Sequence, residues 1–193
     1  MAAIVSPQYV SPHPLDLSVV RKFVALTEGN FGVTDLQGNL LFKVKDHLFH
    51  IHDHRVLVDA NGHPVMTLRK KVRTMHGRWQ VFRGDSTEER DLLFTVRETS
   101  MIQLKAKLDV FLAHNKDQKV CDYKVKGSFF ERSCTVYAGE TSNIVAQMHK
   151  KMTAGSILLD KTKFNITVYP NVDYAFITAI VVILDEINHA TSL

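Results

Sequence analysis

The amino-acid sequence predicts a mainly β protein, an antiparallel sandwich or barrel, that carries one buried helix at its C-terminal end. Two observations carry this expectation. Between residues 40 and 170 about ten short segments place apolar side chains at every second position, with turn residues between them. Near the end, the stretch NVDYAFITAIVVILDEINHA (171–190) has no charge from Tyr174 to Leu184, and its apolar residues fall on every side of a would-be helix. A helix of that kind has to be surrounded by apolar matter.

The opening, MAAIVSPQYVSPHPLDLS, has no basic stretch followed by an apolar run, and it holds Pro7, Pro12 and Pro14. It is read as neither a signal peptide nor a strand. Residues 1–20 are therefore expected to be a flexible leader ahead of a single domain over 21–193. The first strand segments are LLFKVKD (40–46), RVLVDA (55–60), PVMTLRKKV (64–72), RWQVFRG (78–84) and DLLFTVRE (91–98). QLKAKLDVFLA, CDYKVKGSFF, CTVYAGE, IVAQMHKKM and FNITVYP continue the pattern. In the first of these, Leu104, Ala106, Leu108 and Val110 alternate with Gln103, Lys105, Lys107 and Asp109, one face dry and the other wet. DLQGNLLFKVK (35–45) and DANGHPVMTLR (59–69) share an Asp, a Gly three residues later and then an apolar strand. Both read as tight hairpins, with Gly38 and Gly62 supplying a positive φ and the Asp bonding the turn backbone.

The C-terminal run is too short for a bilayer, since about 20 apolar residues are needed to cross roughly 30 Å of hydrocarbon. Extending it back to Phe164 would put Pro170, Asn171 and Asp173 in lipid. Asp173 fits a helix start, where a carboxylate caps free amides. A sheet of this many strands, if it closes, needs a filling, and a single all-apolar helix supplies one. No transmembrane span is expected.

A chain of 193 residues with 45% hydrophobic content can bury a sizeable core, and a formal charge of +4 favours acidic partners only mildly. Without a secretory signal, Cys121 and Cys134 are expected as reduced thiols and the Asn165-Ile166-Thr167 sequon as unglycosylated. There is no P-loop, no Gly-x-Ser-x-Gly elbow, no His-Glu-x-x-His and no Gly-x-Gly-x-x-Gly. The chain is accordingly read as a binding module, not an enzyme, with no cofactor and no catalytic residue.

The segment DHLFHIHDHR puts His50, His52 and His54 on one face of an extended chain, with His47 nearby and Asp46 and Asp53 as possible orienting acceptors. Neighbours at i and i+2 diverge on a strand, so the histidines are read as a polar face or loop and no metal site is expected. Basic residues recur at two-residue spacing beside apolar partners: Lys43 and Lys45; Arg69, Lys71 and Arg73; Lys105 and Lys107; Lys124 and Lys126. On strands that spacing aligns each set on one outward face. Arg69, Lys71, Arg73, Lys43 and Lys45 are the candidate ligand-binding residues, for the phosphate of an anionic headgroup. Asp91, Glu98, Asp109, Asp122 and Glu131 supply the opposite sign. Nucleic acid is disfavoured, because the one evident helix is apolar and Phe42, Phe82, Phe94 and Phe111 fall in alternating runs that suit a core.

The succession FGVTDLQGNLLFKV, VLVDANGHPVMTLRKK, RWQVFRGD and LLFTVR, closed by the apolar C-terminal helix, resembles the plant LURP-one-related family. That family belongs to the tubby-like superfamily together with phospholipid scramblases. The resemblance runs from about Phe31 to the C-terminus. It is most specific at Asp59-Ala60-Asn61-Gly62 with Pro64, Thr67, Leu68 and Arg69-Lys70-Lys71, and at Trp79-Gln80-Val81-Phe82. It implies a closed antiparallel β-barrel of about twelve strands enclosing a hydrophobic C-terminal α-helix near 172–189. It also implies binding of phosphoinositide or other anionic phospholipid, as in tubby proteins, and a role in plant defence signalling. The alternatives are a protein-interaction scaffold without a lipid ligand, a scramblase-like activity or a transcription-regulatory one. The expected setting is cytoplasmic, at a membrane surface or in the nucleus.

Overall fold

The computed structural model describes residues 3–21, 31–45, 54–71, 77–102, 105–129, 131–150 and 163–190. Twelve strands form one closed antiparallel barrel in chain order. They are β1 (Leu15–Arg21), β2 (Phe31–Thr34), β3 (Leu40–Lys45), β4 (His54–Asp59), β5 (Pro64–Lys71), β6 (Arg78–Arg83), β7 (Leu92–Ile102), β8 (Lys105–Leu112), β9 (Tyr123–Gly127), β10 (Thr135–Ala138), β11 (Ile144–Lys150) and β12 (Lys163–Val168). Closure comes from β1, which pairs with both β2 and β12, so that Leu17 lies opposite Ile166 and Val20 opposite Gly32.

One helix, α1 (Tyr174–Ala190), fills the barrel. Ala175, Phe176, Ile177, Ala179, Ile180 and Ile183 are each 0% exposed. The inward positions of the strands meet them: Phe176 packs edge-on against Phe94 at 5.0 Å and tilts against Tyr123 at 4.8 Å. Seventeen residues give α1 a length of about 25 Å at 1.5 Å per residue. Among the described residues, no helix is long and apolar enough to cross a membrane.

The start of α1 is held by Asp173. Its Oδ1 accepts the amides of Ala175 and Phe176, and its Oδ2 accepts those of Ile4, Val5 and Ser6 at 3.1, 2.7 and 3.2 Å. One carboxylate thus caps the helix and fastens the beginning of the chain across the same end of the barrel. Val5 is buried there, its carbonyl accepts from Arg83, and Tyr9 packs edge-on against both Phe42 and Tyr174.

This differs from the leader expected over residues 1–20. Val5 is buried, Ile4 and Tyr9 pack against the core, and Leu15–Arg21 is a strand with two partners. Pro12 and Pro14 precede the strand and do not interrupt it, so they are compatible with the pairing of β1. The two hairpin turns are as expected. Gly38 and Gly62 have φ of 90° and 87°, Asn39 N–H donates to Asp35 Oδ1, and Asn61 and His63 amides donate to Asp59 Oδ1. Cys121 and Cys134 are both buried free thiols.

Replacing Ile180 by Asp should abolish folding, because an unpaired buried carboxylate costs several kcal/mol against a typical stability of roughly 5–15 kcal/mol. Asp173→Ala leaves amides on two segments without an acceptor, so chemical denaturation should show a loss of about 2–4 kcal/mol. A loss below about 1 kcal/mol would mean that the chain start contributes little.

Candidate anion-binding wall

An antiparallel meander sorts its connections between two ends. The β2–β3, β4–β5, β6–β7, β8–β9 and β10–β11 turns share one end with the start of α1. That end carries Asp35, Asp59, Asp85, Glu88, Glu89, Asp117 and Glu140. Strands β3 and β5 run from it toward the other end and finish in Lys45 and Lys71.

Register decides which of the basic residues meet. On the outer face Lys71 lies directly opposite Arg78, Arg78 opposite Arg97, Arg97 opposite Asp109 and Asp109 opposite Lys124. Three cations therefore stand side by side on β5, β6 and β7 before the first carboxylate, at a strand spacing of about 4.8 Å. Lys107 opposite Lys126 is a second like-charged pair. Like charges directly opposite each other weaken a sheet, so such a row is held at some cost to stability.

Two of the arginines are fixed in place. Phe82 and Phe111 alternate with core-facing residues and so belong to the outer face, yet they are 0% and 1% exposed. Arg69 lies over the Phe82 ring at 4.9 Å, and its Nη2 donates to Gln80 Oε1 at 2.7 Å. Arg97 lies over Phe111 at 4.7 Å, and its Nη2 donates to Asp109 Oδ2 at 3.3 Å. In both units the aromatic ring is the diagonal neighbour on the next strand, and the polar partner is the residue directly opposite. Stacking on the ring holds the guanidinium flat, which leaves part of its donor fork for a ligand.

Beyond Asp109 the signs alternate. Lys124 pairs with Asp109 at 3.7 Å and with Glu140, whose other contact is the Cys121 thiol. Burial lowers the Lys124 pKa, but Glu140 and Asp109 outweigh it, and the ammonium stays charged to above its ordinary range. Asp109, Cys121 and Glu140 have ligand atoms within 4.8 Å of one another, the spacing of a metal site. The cation among them is Lys124, however, and burial followed by the Glu140 hydrogen bond pushes the Cys121 thiol up to about 11, away from the thiolate a metal needs.

Behind the wall, on the inner face, Lys70 lies opposite Trp79, with its Nζ 6.0 Å from the ring centre. Glu98 lies over Gly77, where a Cβ would collide with its carboxylate. Burial pushes the Glu98 carboxyl above its ordinary range, and Lys70 pulls it partly back.

The expected site residues are distributed as follows. Arg69 and Lys71 share the outer face of β5 and belong to the row. Arg73 lies outside the described residues, as do His47, His50, His52, Asp46 and Asp53. His54 opens β4 opposite Arg69. Lys43 and Lys45 face outward on β3, and β4 separates them from β5, with Val58 opposite Lys43 and Val56 opposite Lys45. The Lys45 ammonium reaches back toward the acidic end, 3.8 Å from where a Cβ on Gly62 would lie. Lys43 and Lys45 therefore flank the row. Arg78 and Arg97 are not among the expected residues, since neither has a Lys or Arg two residues away in the sequence and only register brings them into line with Lys71.

The LURP-one-related family profile matches residues 15–185, the whole barrel and most of α1. The chain belongs to that family. Among its Arabidopsis thaliana members it is 62% identical to Protein LURP-one-related 15 over 96% of this chain and 85% of that protein. It is 58% identical to Protein LURP-one-related 10 over 98% of both chains, and 54% identical to Protein LURP1 over 97% of this chain and 90% of that protein. An X-ray structure of an Arabidopsis thaliana protein, 53% identical, superposes with a TM-score of 0.77 over 97% of this chain and 99% of that one.

The Glu98 environment makes a prediction for this LURP-one-related barrel. A carboxyl whose folded pKa is raised opposes folding once the pH exceeds its unfolded value, here 4.5, and this cost is fully present above the folded value. Glu98→Gln should therefore raise the melting temperature at pH 7, and the gain should vanish below pH 4.5. A lower melting temperature at pH 7 would show that the Lys70 attraction outweighs burial.

Proposed function

We propose that this LURP-one-related chain is a non-enzymatic binding module whose basic wall meets the phosphates of anionic phospholipid headgroups, phosphoinositides among them. The observation that carries the reading is the uninterrupted row Lys71, Arg78 and Arg97, placed in register and flanked by Arg69. A wall that only had to be wet would gain by alternating its signs, as this one does from Arg97 to Glu140. Each Lys or Arg brought to an anionic surface contributes about 1 kcal/mol, so the row of three with Arg69 beside it gives weak, salt-sensitive attachment. The outward rows are charged, unlike the apolar band that a membrane-spanning barrel turns to lipid. Contact at the surface, from the cytoplasmic side, suits them. The role in plant defence signalling that the family resemblance implies would then act through recruitment to a membrane.

A protein-interaction scaffold is the second reading. Leu36 and Val120, 61% and 64% exposed, lie in the β2–β3 and β8–β9 turns of the acidic end, away from the basic row.

Cosedimentation tests the first reading. The full chain should pellet with phosphatidylcholine vesicles that contain phosphoinositide at low ionic strength, less so at physiological ionic strength, and not at all with phosphatidylcholine alone. Lys71→Glu combined with Arg78→Glu should weaken binding by about tenfold or more, whereas Lys119→Glu at the opposite end should leave it unchanged. Equal pelleting of all three proteins would place the contact elsewhere. No pelleting of the wild type would favour the scaffold.

A further inference from the structure

We propose that Lys71, Arg78 and Arg97 form a phosphomonoester site, with Arg78 as its specificity-determining residue; this rests on reading the wall as an anion-binding surface. Charge balance singles out the ligand class. Arg97 is matched by Asp109, and Lys124 by Asp109 and Glu140. Lys70, on the inner face, lies within electrostatic reach of Glu98. Lys71, Arg78 and Arg69 have no carboxylate partner among the described residues, and Arg69 is held by the neutral Gln80. At least two adjacent positive charges on β5 and β6 are thus left over, directly opposite each other.

A phosphodiester carries a single negative charge and leaves this pair half compensated. A phosphomonoester carries about −1.5 to −2 at pH 7 and offers three terminal oxygens, which matches both the charge and the number of neighbouring donors. Register places Arg97, which is pinned by the Phe111 ring and by Asp109 on β8, directly opposite Arg78 on β6. An oxygen pair on one phosphorus can then be shared between two guanidinium forks, with the Lys71 ammonium completing the set from β5. Pre-organisation of Arg97 reduces the ordering cost of that contact. Guanidinium forks are also the side chains whose planar donor pair fits two oxygens of one phosphate. Asp109 acts as a positioning residue, because it touches Arg97 and not the ligand.

The same chemistry reaches the wall from two sources, a monoester headgroup in a bilayer or a free phosphomonoester. Both can be compared on the full chain. Vesicles of phosphatidylcholine with phosphatidic acid, a monoester, are to be set against vesicles with phosphatidylglycerol, a diester, adjusted to equal surface potential. The wild type should bind the monoester vesicles about tenfold more tightly, one guanidinium fork being worth roughly that factor. Arg78→Gln should remove the preference while its thermal melting stays within a degree or two of wild type, and Arg78→Lys should restore part of it. Millimolar glycerol 3-phosphate that displaces the protein from vesicles would name the free ester as a ligand. Retained preference without displacement would name the headgroup, and both results support the site. Equal binding to the two vesicles at equal potential would overturn monoester selection while leaving the basic wall in place. A preference that persists in Arg78→Gln would overturn the assignment of Arg78, and binding to neither vesicle would overturn the anion-binding reading itself.

Discussion

A helix that is apolar on every side cannot be left against water, and most of this structure answers to the need to enclose α1. Covering one face would suit an amphipathic helix, but residues 175–184 are all buried, so the sheet has to pass right round them. Passing round means closing, and closing removes the free edges through which sheets aggregate. The strand order accordingly runs from β1 to β12 without a break, and β1 joins its far neighbour. Because α1 fills the interior, the strands have one face left for anything else. That face is divided row by row by the register that closure imposes.

The constraint also explains why the outer wall contains buried aromatics. Phe82 and Phe111 stand on the face that alternation leaves to solvent, and they would be a liability if open. Arg69 and Arg97 lie across them and cover them with guanidinium planes. The same contact does two things: it shields an apolar ring, and it fixes a cation that would otherwise range over many rotamers. An arginine held this way arrives at a phosphate with less entropy to lose than a free lysine. The exposed Lys71 is of the other kind, a charge with no ring beneath it among the described residues.

Much of the fold was legible because two periods, alternation in the strands and all-round apolarity in the helix, are properties of the chain itself. Ala106, Leu108 and Val110 are buried where the alternation put them, and the matched turns at Gly38 and Gly62 have the positive φ their spacing asked for. The first strand was lost, since Pro12 and Pro14 looked like disorder and its pairing with β12 spans almost the whole chain. The site was legible only by halves. Arg69 and Lys71 could be placed on one face from their spacing, but their neighbours depend on register, which a sequence does not state. Lys43 and Lys45 look equivalent to them in one dimension and are two strands away in the barrel. Arg78 and Arg97, with no Lys or Arg two residues away, gave no signal at all. Lys124 gave a false one, since spacing cannot tell an open lysine from one enclosed by Asp109 and Glu140.

Alternation of direction in a meander has one more consequence, which concerns how such a barrel would meet a charged surface. Hairpin turns favour Asp because its carboxylate can take two or three turn amides, as Asp35 and Asp59 do here. Burial raises the Asp59 pKa, but the His63 and Asn61 hydrogen bonds outweigh it, so this turn keeps its charge to below the ordinary carboxyl range. Five connections of this meander, those of Asp35 and Asp59 among them, share the end where α1 starts. Arg90, Lys116 and Lys119 stand at that end too, whereas Lys71, Arg78 and Arg97 stand where β5 ends, β6 begins and β7 nears its end. Among the described residues, acids outnumber Lys and Arg in the connections at that end, and the basic row lies away from it. Screening limits the reach of each charge to about 8 Å at physiological ionic strength, so an anionic surface is attracted by the basic wall only after the acidic turns point away from it. The turn chemistry that builds the hairpins therefore also restricts the orientations in which the basic row can make contact.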